Sequence, residues 1–487
     1  MIGTSNEDLF ACDWSMPPQS RDSILMPAIS RSTAGAVSSS HFGGALYSDF
    51  LSQGLTHFFP AARLEADGRQ ALARVDFQCD CKAERTKRDQ VLLGWLGQSY
   101  ALQRPGRPFT GSERRLVHAI GRVLTARYQA LFNPDIAAKN FHLFHGLPED
   151  RYVSAFLDPT PYENLETLAG KQDRVADAIE VLRSSALTTH ENRRVSTGAL
   201  LLGRSSRTLK PANDGLRYSS ALTSVRSFPR LCDGIHTVAL VNAKGRWIDI
   251  VDLEEWSGCA GPGSLPQPSP SAYRAHCRAT LGNDNLCLAL TPNGEIKAFS
   301  GGVQVFSFLN GRWRLTDFEW KYLRWAEAVG NEELAKLVLQ VALDLADSRR
   351  GGLFAILDDS DSVSSLVAPA DLLVHDELEA PAVQGADSKR NLYYLLNGKR
   401  TTDLRPAVLR TLAAIDGGIV FDRKGRLLAF GAILRHNNEH EAAPGRVTQG
   451  GGRSVAALAA SHYGRALKVS EDGIISFFEK GNWVWDI

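Results

Sequence analysis

Apolar residues recur at helical spacing through Leu116, Val117, Ile120, Val123, Leu124, Leu131 and Phe132, which predicts an amphipathic helix over Ser112–Phe132. Thr110 and Glu113 stand at capping-box spacing at its start. A second stripe, Leu334, Leu337, Val338, Val341, Leu345 and Ala346, predicts a helix over Glu332–Ser348, stopped by Arg349-Arg350-Gly351-Gly352. The wholly apolar run Leu353–Leu357 follows at once. A strand buried on both faces reads this way, so a sheet covered by helices is expected here. Helices are also expected over Pro161–Ser185, Pro406–Ala413 and Ser454–Ser461. Gly198–Leu202 is an apolar run, and strands are expected over 237–242, 246–251, Leu286–Leu290, Ile296–Phe299, Val303–Leu309, Ile419–Phe421 and Leu427–Leu434.

These elements predict an α/β chain of mixed α+β character in three parts. Residues 1–140 form an N-terminal α+β region with a Ser-, Pro- and Gly-containing tail, and 141–270 form a middle α+β module closed by the dense Gly/Pro/Ser stretch Gly258–Pro270. Residues 280–487 form a mixed sheet flanked by helices. Thr291-Pro292-Asn293-Gly294 with Asn310-Gly311-Arg312-Trp313 echoes Ser470-Glu471-Asp472-Gly473 with Lys480-Gly481-Asn482-Trp483. The echo reads as two similar hairpins rather than a repeat protein.

Composition narrows function by exclusion. The 487 residues carry a net charge of +1, which gives no general pull toward nucleic acid. No apolar run approaches the roughly 20 residues that cross a bilayer, and the acidic start Met1–Trp14 lacks the order of a secretory signal. A cytoplasmic protein without a membrane span is therefore expected. Seven scattered cysteines, with only Cys79 and Cys81 close together, read as reduced thiols, mostly buried.

Chemistry concentrates toward the C-terminal end. Asp416-Gly417-Gly418 sits where a helix gives way to a strand, and its glycines permit backbone angles and close approach that side chains block. Gly450-Gly451-Gly452 opens a helix whose free amides suit phosphate oxygens. Arg453, in the first turn, opposes the helix dipole unless an anion lies beside it. The polar loop before this helix is long enough to be functional, although its His436, Glu439, His440 and Glu441 lack rigid metal-ligand spacing. P-loop, G-x-S-x-G and G-x-G-x-x-G signatures are missing. One carboxylate, a nest of amides and one arginine are what holding a nucleoside triphosphate requires.

In their order, these motifs resemble the nucleotide-binding domain of bacterial diadenylate cyclases, including the DNA-integrity-scanning enzymes. The residues that carry the likeness are Leu345-Ala346 with Gly351-Gly352-Leu353, Asp416-Gly417-Gly418-Ile419-Val420 with Gly425-Arg426-Leu427-Leu428-Ala429, Gly451–Ala457, and Val469-Ser470-Glu471. The family's Asp-Gly-Ala motif falls on Asp416-Gly417-Gly418. Its Arg-His-Arg motif falls on Arg453-Ser454-Val455, where only the first arginine is kept.

The resemblance implies condensation of two ATP molecules into cyclic di-AMP, in sites facing each other across a homodimer or higher homo-oligomer, under control of a signal sensed by the N-terminal region. It implies Asp416 and Arg453 as catalytic residues, and Mg²⁺ or Mn²⁺ held by Asp416 and Glu471, with Asp416 otherwise accepting the hydroxyl proton. Nucleotide contacts would come from Gly417, Gly418, Gly451, Gly452, Ser454, Leu434 and Glu471, and Leu412, Ala429 and Leu434 would wall the adenine. The scanning members carry a DNA-binding region after the cyclase domain, which has no counterpart before Ile487, so direct DNA binding is not expected. The departures at Ser454 and Val455 define the alternative, a catalytically inactive module that senses a nucleotide or cyclic dinucleotide.

Overall fold

The computed structural model describes residues 39–70, 78–80, 89–96, 98–132, 141–163, 173–203, 216–259, 265–282, 284–373, 400–435 and 451–487. Tyr47–Ile487 form one compact unit. The loop residues 436–450, including Gly450 and the His436–Glu441 cluster, lie outside the described residues.

Helix α1 (Ser39–Phe58) leads to an antiparallel sheet of β1 (Arg63–Gln70), β2 (Gln78–Asp80), β3 (Gln90–Trp95) and β4 (Gln98–Gln103), in the order β1-β4-β3-β2. In α2 (Gly111–Phe132) the predicted capping box forms: the Glu113 amide donates to Thr110 Oγ1 at 3.1 Å, and the Thr110 amide donates to Glu113 Oε2 at 2.9 Å. Helices α3 (Pro148–Leu157) and α4 (Arg174–Ala186) follow. The helix expected over Pro161–Ser185 thus starts only at Arg174, because Asp173 caps it by accepting the Ala176 amide at 3.0 Å.

A hairpin of β5 (Thr189–His190) and β6 (Arg193–Arg194) precedes β7 (Thr197–Leu201), β8 (Thr237–Val241) and β9 (Trp247–Asp252). Helices α5 (Leu253–Cys259) and α6 (Arg274–Thr280) come next, then β10 (Leu286–Leu290), β11 (Ile296–Ser300), β12 (Val303–Leu309) and β13 (Arg312–Leu315). All seven strands from β7 to β13 share one sheet, in the order β13-β12-β11-β10-β7-β8-β9. This corrects the boundary expected near 270–280. β10 pairs with β7 along its whole length, Leu286 opposite Leu201 through Leu290 opposite Thr197, so strands on both sides of the Gly/Pro stretch belong together. The Gly/Pro/Ser signal marks a loop within a module, and backbone pairing across it decides the grouping.

After α7 (Phe318–Val329) and α8 (Glu332–Asp347), a second sheet is built from β14 (Gly352–Leu357) and, beyond α9 (Val363–Leu366) and α10 (Pro406–Ala413), from β15 (Gly418–Asp422) and β16 (Leu427–Ala432). Helix α11 (Gly452–Ser461) and β17 (Gly464–Val469), β18 (Ile475–Glu479) and β19 (Asn482–Asp486) complete it, in the order β16-β15-β14-β17-β18-β19. β14 is buried on both faces, as its apolar run predicts. Phe354 and Ile356 enter the core under α8, and Leu353, Ala355 and Leu357 enter the core under α11.

The two sheets are copies of one topology. In each, the first strand runs parallel to the second (β7 with β8, β14 with β15) and antiparallel to the fourth (β10, β17), and a helix precedes the first and the fourth strand. Turns match in detail. Asn242 Oδ1 accepts the Arg246 amide at 3.0 Å, as Asp422 Oδ1 accepts that of Arg426 at 2.8 Å. Thr291 Oγ1 accepts the Glu295 amide at 3.1 Å, as Ser470 Oγ accepts that of Ile474 at 3.2 Å. The echo between hairpins is therefore part of a tandem duplication, correcting the reading as isolated hairpins. Its second half is shifted: Lys480-Gly481 turns between β18 and β19, the place of Gly301-Gly302 between β11 and β12, whereas Asn310-Gly311 turns one strand further out.

Candidate functional site

Three loops of the second repeat meet at one end of its sheet. Helix α10 closes when the Ala414 amide donates to Arg410 O at 3.1 Å, and the chain then turns through Asp416 and Gly417 into β15. Gly417 has φ +111°, and a Cβ there would lie 2.5 Å from Gly431 C, so only glycine lets this turn lie on β16. Gly418 is less constrained, since a Cβ would meet Leu434 Cδ1 at 3.3 Å and Leu353 Cδ2 at 3.4 Å.

Arg453 leaves the first turn of α11 and lies between two carboxylates. Its Nη1 donates to Glu471 Oε1 at 2.8 Å, and its Nη2 is 3.7 Å from Asp416 Oδ1. Asp416 is fully exposed and Arg453 is about one-third exposed, so solvent and ligand can reach the cluster. The structure thus brings Asp416, Arg453 and Glu471 together, beside exposed Gly451 and Gly452. Ser454 is close by, its Oγ accepting from Lys468 Nζ at 3.0 Å.

Leu434 is buried against Gly418 in the core under α11, together with Ala429. Leu412 packs instead into the core under α8. These residues occupy opposite faces of the sheet and cannot form one adenine wall together, a correction to the expectation for Leu412.

Three further residues shape the site, of which only Gly351 belongs to a motif. Lys468 adds a second cation through strand position alone. Gly351 gives room to the Arg453 guanidinium, which a Cβ would displace. Arg349, at φ +54°, donates to the Asp472 carbonyl in the turn that bears Glu471 and pairs through Nη2 with Glu295 of the first repeat at 3.3 Å. A non-glycine residue held at positive φ by two partners is a stored strain that positions this turn.

The first repeat has the same scaffold with a different site. Asp233 precedes Gly234, φ +74°, before β8, as Asp416 precedes Gly417 before β15. Burial alone would raise the Asp233 carboxyl, but the Thr237 amide, the His236 ring and further amides hold it well below the usual carboxylate range. Its Oδ1 accepts the Ile235, His236 and Thr237 amides at 2.9, 2.8 and 2.9 Å. It is spent on its own turn.

The helix starts can be aligned because Thr280 Oγ1 and Ser461 Oγ, each at a helix end, accept the amides of Gly302 and Gly481 at 3.2 and 3.1 Å. Counting back, Ser271 corresponds to Gly452, Ala272 to Arg453, and Pro292 to Glu471. The arginine and the glutamate are lost, and the helix start is already occupied: Asp344 of α8 accepts from the Ser271 amide at 2.6 Å and from Ser271 Oγ at 2.9 Å.

No protein-family model matches the chain, and no curated protein matches it. Among solved structures it is similar to a hypothetical membrane spanning protein from Bacillus cereus, at 16% identity over 34% of this chain and 70% of that one, with a TM-score of 0.24. A likeness this low carries no argument about fold or function. Among the described residues, no helix is long and apolar enough to cross a membrane.

Proposed function

We propose that the second repeat holds ATP across the start of α11 and that the chain is a nucleotidyltransferase of the diadenylate cyclase kind, acting in the cytoplasm. Two ATP molecules would become cyclic di-AMP. The 3′-hydroxyl of each attacks the α-phosphorus of the other, two P–O bonds form, and two pyrophosphates leave. The observation that carries this reading is the convergence of Asp416, Arg453 and Glu471 on one exposed point beside a glycine-rich helix start. Phosphoryl transfer asks for positioning and charge neutralisation, and a guanidinium with free helix amides supplies both.

Asp416 would accept the hydroxyl proton or, with Glu471, hold a divalent ion. Both carboxylates already converge on a single cation, the Arg453 guanidinium, and such hard oxygen donors suit Mg²⁺ or Mn²⁺. When bound, the ion would neutralise phosphate charge, leaving Arg453 and Lys468 for the phosphate oxygens. One chain offers one such site, so the second nucleotide would come from a second copy. The elements before the second repeat would carry the signal.

A second reading, a binding module without turnover, is favoured by the Ser454–Lys468 contact at 3.0 Å, which replaces the histidine expected at that motif position. Incubating the protein with ATP and Mn²⁺ and weighing the products separates the two. Cyclic di-AMP that disappears in Asp416→Asn supports the enzyme. Saturable ATP binding without product supports the module, and no ATP binding at all overturns both.

A further inference from the structure

Away from this site, helix α2 carries a cluster of arginines. Arg114, Arg115 and Arg122 fall on one face with His118, whose imidazole is held toward its neutral form by burial and the nearby Arg122, while Leu116, Val117, Ile120 and Val123 turn into the core. The face is one wall of a groove of about 490 Å³, and the end of α3 with Pro159 is the other. Its lining includes three arginines and no carboxylate.

Nearby acids do not balance these charges. Asp158, at the rim, is turned toward Arg174 at 3.2 Å and accepts the Thr160 amide at 3.2 Å. Glu163 reaches Arg122 at 3.0 Å in an exposed pair, the kind that solvent and salt readily open. Arg114 and Arg115 form no ion pair among the described residues. Arg115 nevertheless has a partner, its Cζ lying over the Phe156 ring 4.4 Å from its centre. A guanidinium anchored in this way keeps a planar donor fork that matches phosphate oxygens two at a time.

We propose that this groove binds a small phosphate-bearing ligand, a free phosphate or a phosphate ester. Its volume falls within the roughly 300–1,000 Å³ usual for small-molecule sites. A net charge of +1 for the whole chain argues against a long polyanion, whose footprint needs an extended basic face. The site lies outside the second repeat and does not rest on the nucleotide reading of α11.

Calorimetric titration of the full chain at low salt, with inorganic pyrophosphate and with AMP as probes, tests this. Pyrophosphate should still bind saturably to Arg453→Ala, which removes the phosphate contact at α11, and adding Arg114→Ser with Arg115→Ser to that variant should weaken the binding at least about tenfold. Arg115→Lys, which keeps the charge and loses the fork, should give an intermediate loss, and it carries the test if the double variant fails to fold. AMP binding with the same variant pattern identifies a phosphate ester as ligand; pyrophosphate alone identifies the bare phosphate group. Absence of saturable binding, an unchanged affinity in both variants, or binding abolished by Arg453→Ala alone overturns the proposal. So does an oligonucleotide that binds at this groove where pyrophosphate does not.

Discussion

Asp344 accepts both the amide and the hydroxyl of Ser271, at 2.6 and 2.9 Å, and so fills in the first repeat the position that no carboxylate among the described residues takes at Gly452 in the second. A carboxylate from a neighbouring repeat satisfies the free amide at a helix start that a phosphate would otherwise meet. Gln340, one turn earlier, accepts the Ser269 amide at 3.3 Å and donates to the Ser269 carbonyl.

One nucleotide per chain is therefore expected, not two. Asp344→Ala should cost about 1–3 kcal/mol by orphaning the Ser271 amide, without raising the stoichiometry, because Ala272 and Pro292 cannot replace Arg453 and Glu471. Calorimetric stoichiometry together with urea unfolding checks both halves, and a second site in the wild type would refute the first.

The two glycines after Asp416 should behave differently. Gly417→Ala meets the backbone of β16 at positive φ and should lose about 2–4 kcal/mol. Gly418→Ala needs only small shifts of Leu434 and Leu353 and should stay within about 1 kcal/mol. Urea midpoints of the two variants decide this, and equal losses would contradict it.

Gly351→Ala should move the Arg453 guanidinium while leaving the fold almost intact, since the added methyl meets only the end of a flexible side chain. ATP affinity is expected to fall about tenfold, the loss of one charge-assisted contact, with the melting temperature nearly unchanged. Affinity and melting that fall together would point to damage elsewhere.

Burial holds the His276 imidazole down to about 4, against the Gly234 carbonyl that its Nε2 contacts at 2.8 Å. Its folded value lies below the unfolded value of about 6.5, so this contribution is complete above that pH and is lost as pH falls toward 4, by at most about 3 kcal/mol. Unfolding free energies of wild type and His276→Gln between pH 4 and 7 should converge at the acid end. Parallel curves would assign the acid sensitivity to other groups.

Much of this is legible in the sequence where one physical signal dominates. The stripe through Leu334–Ala346 and the apolar run Leu353–Leu357 give α8 and β14 because burial on one or both faces leaves few alternatives. Asp416, Arg453 and Glu471 can be named from residue type and order, while the parts played by Lys468, Gly351 and Arg349 cannot, since each acts through a partner distant in the chain. The capping of Ser271 by Asp344 is a contact across 73 positions and leaves no local trace. The duplication is also hidden. Buried strands exchange apolar residues freely, so only turns such as Asn242-Ala243-Lys244-Gly245-Arg246 and Asp422-Arg423-Lys424-Gly425-Arg426 keep a common wording.

The pairing of β10 with β7 also governs how the molecule can be dissected. A fragment cut at residue 280 would take β10 through β13 away from their neighbour and expose the backbone edge of Leu286–Leu290, five fully buried apolar residues, as an adhesive border. Severed instead between Leu315 and Phe318, the chain would part at a joint between sheets, and each strand would keep its partners.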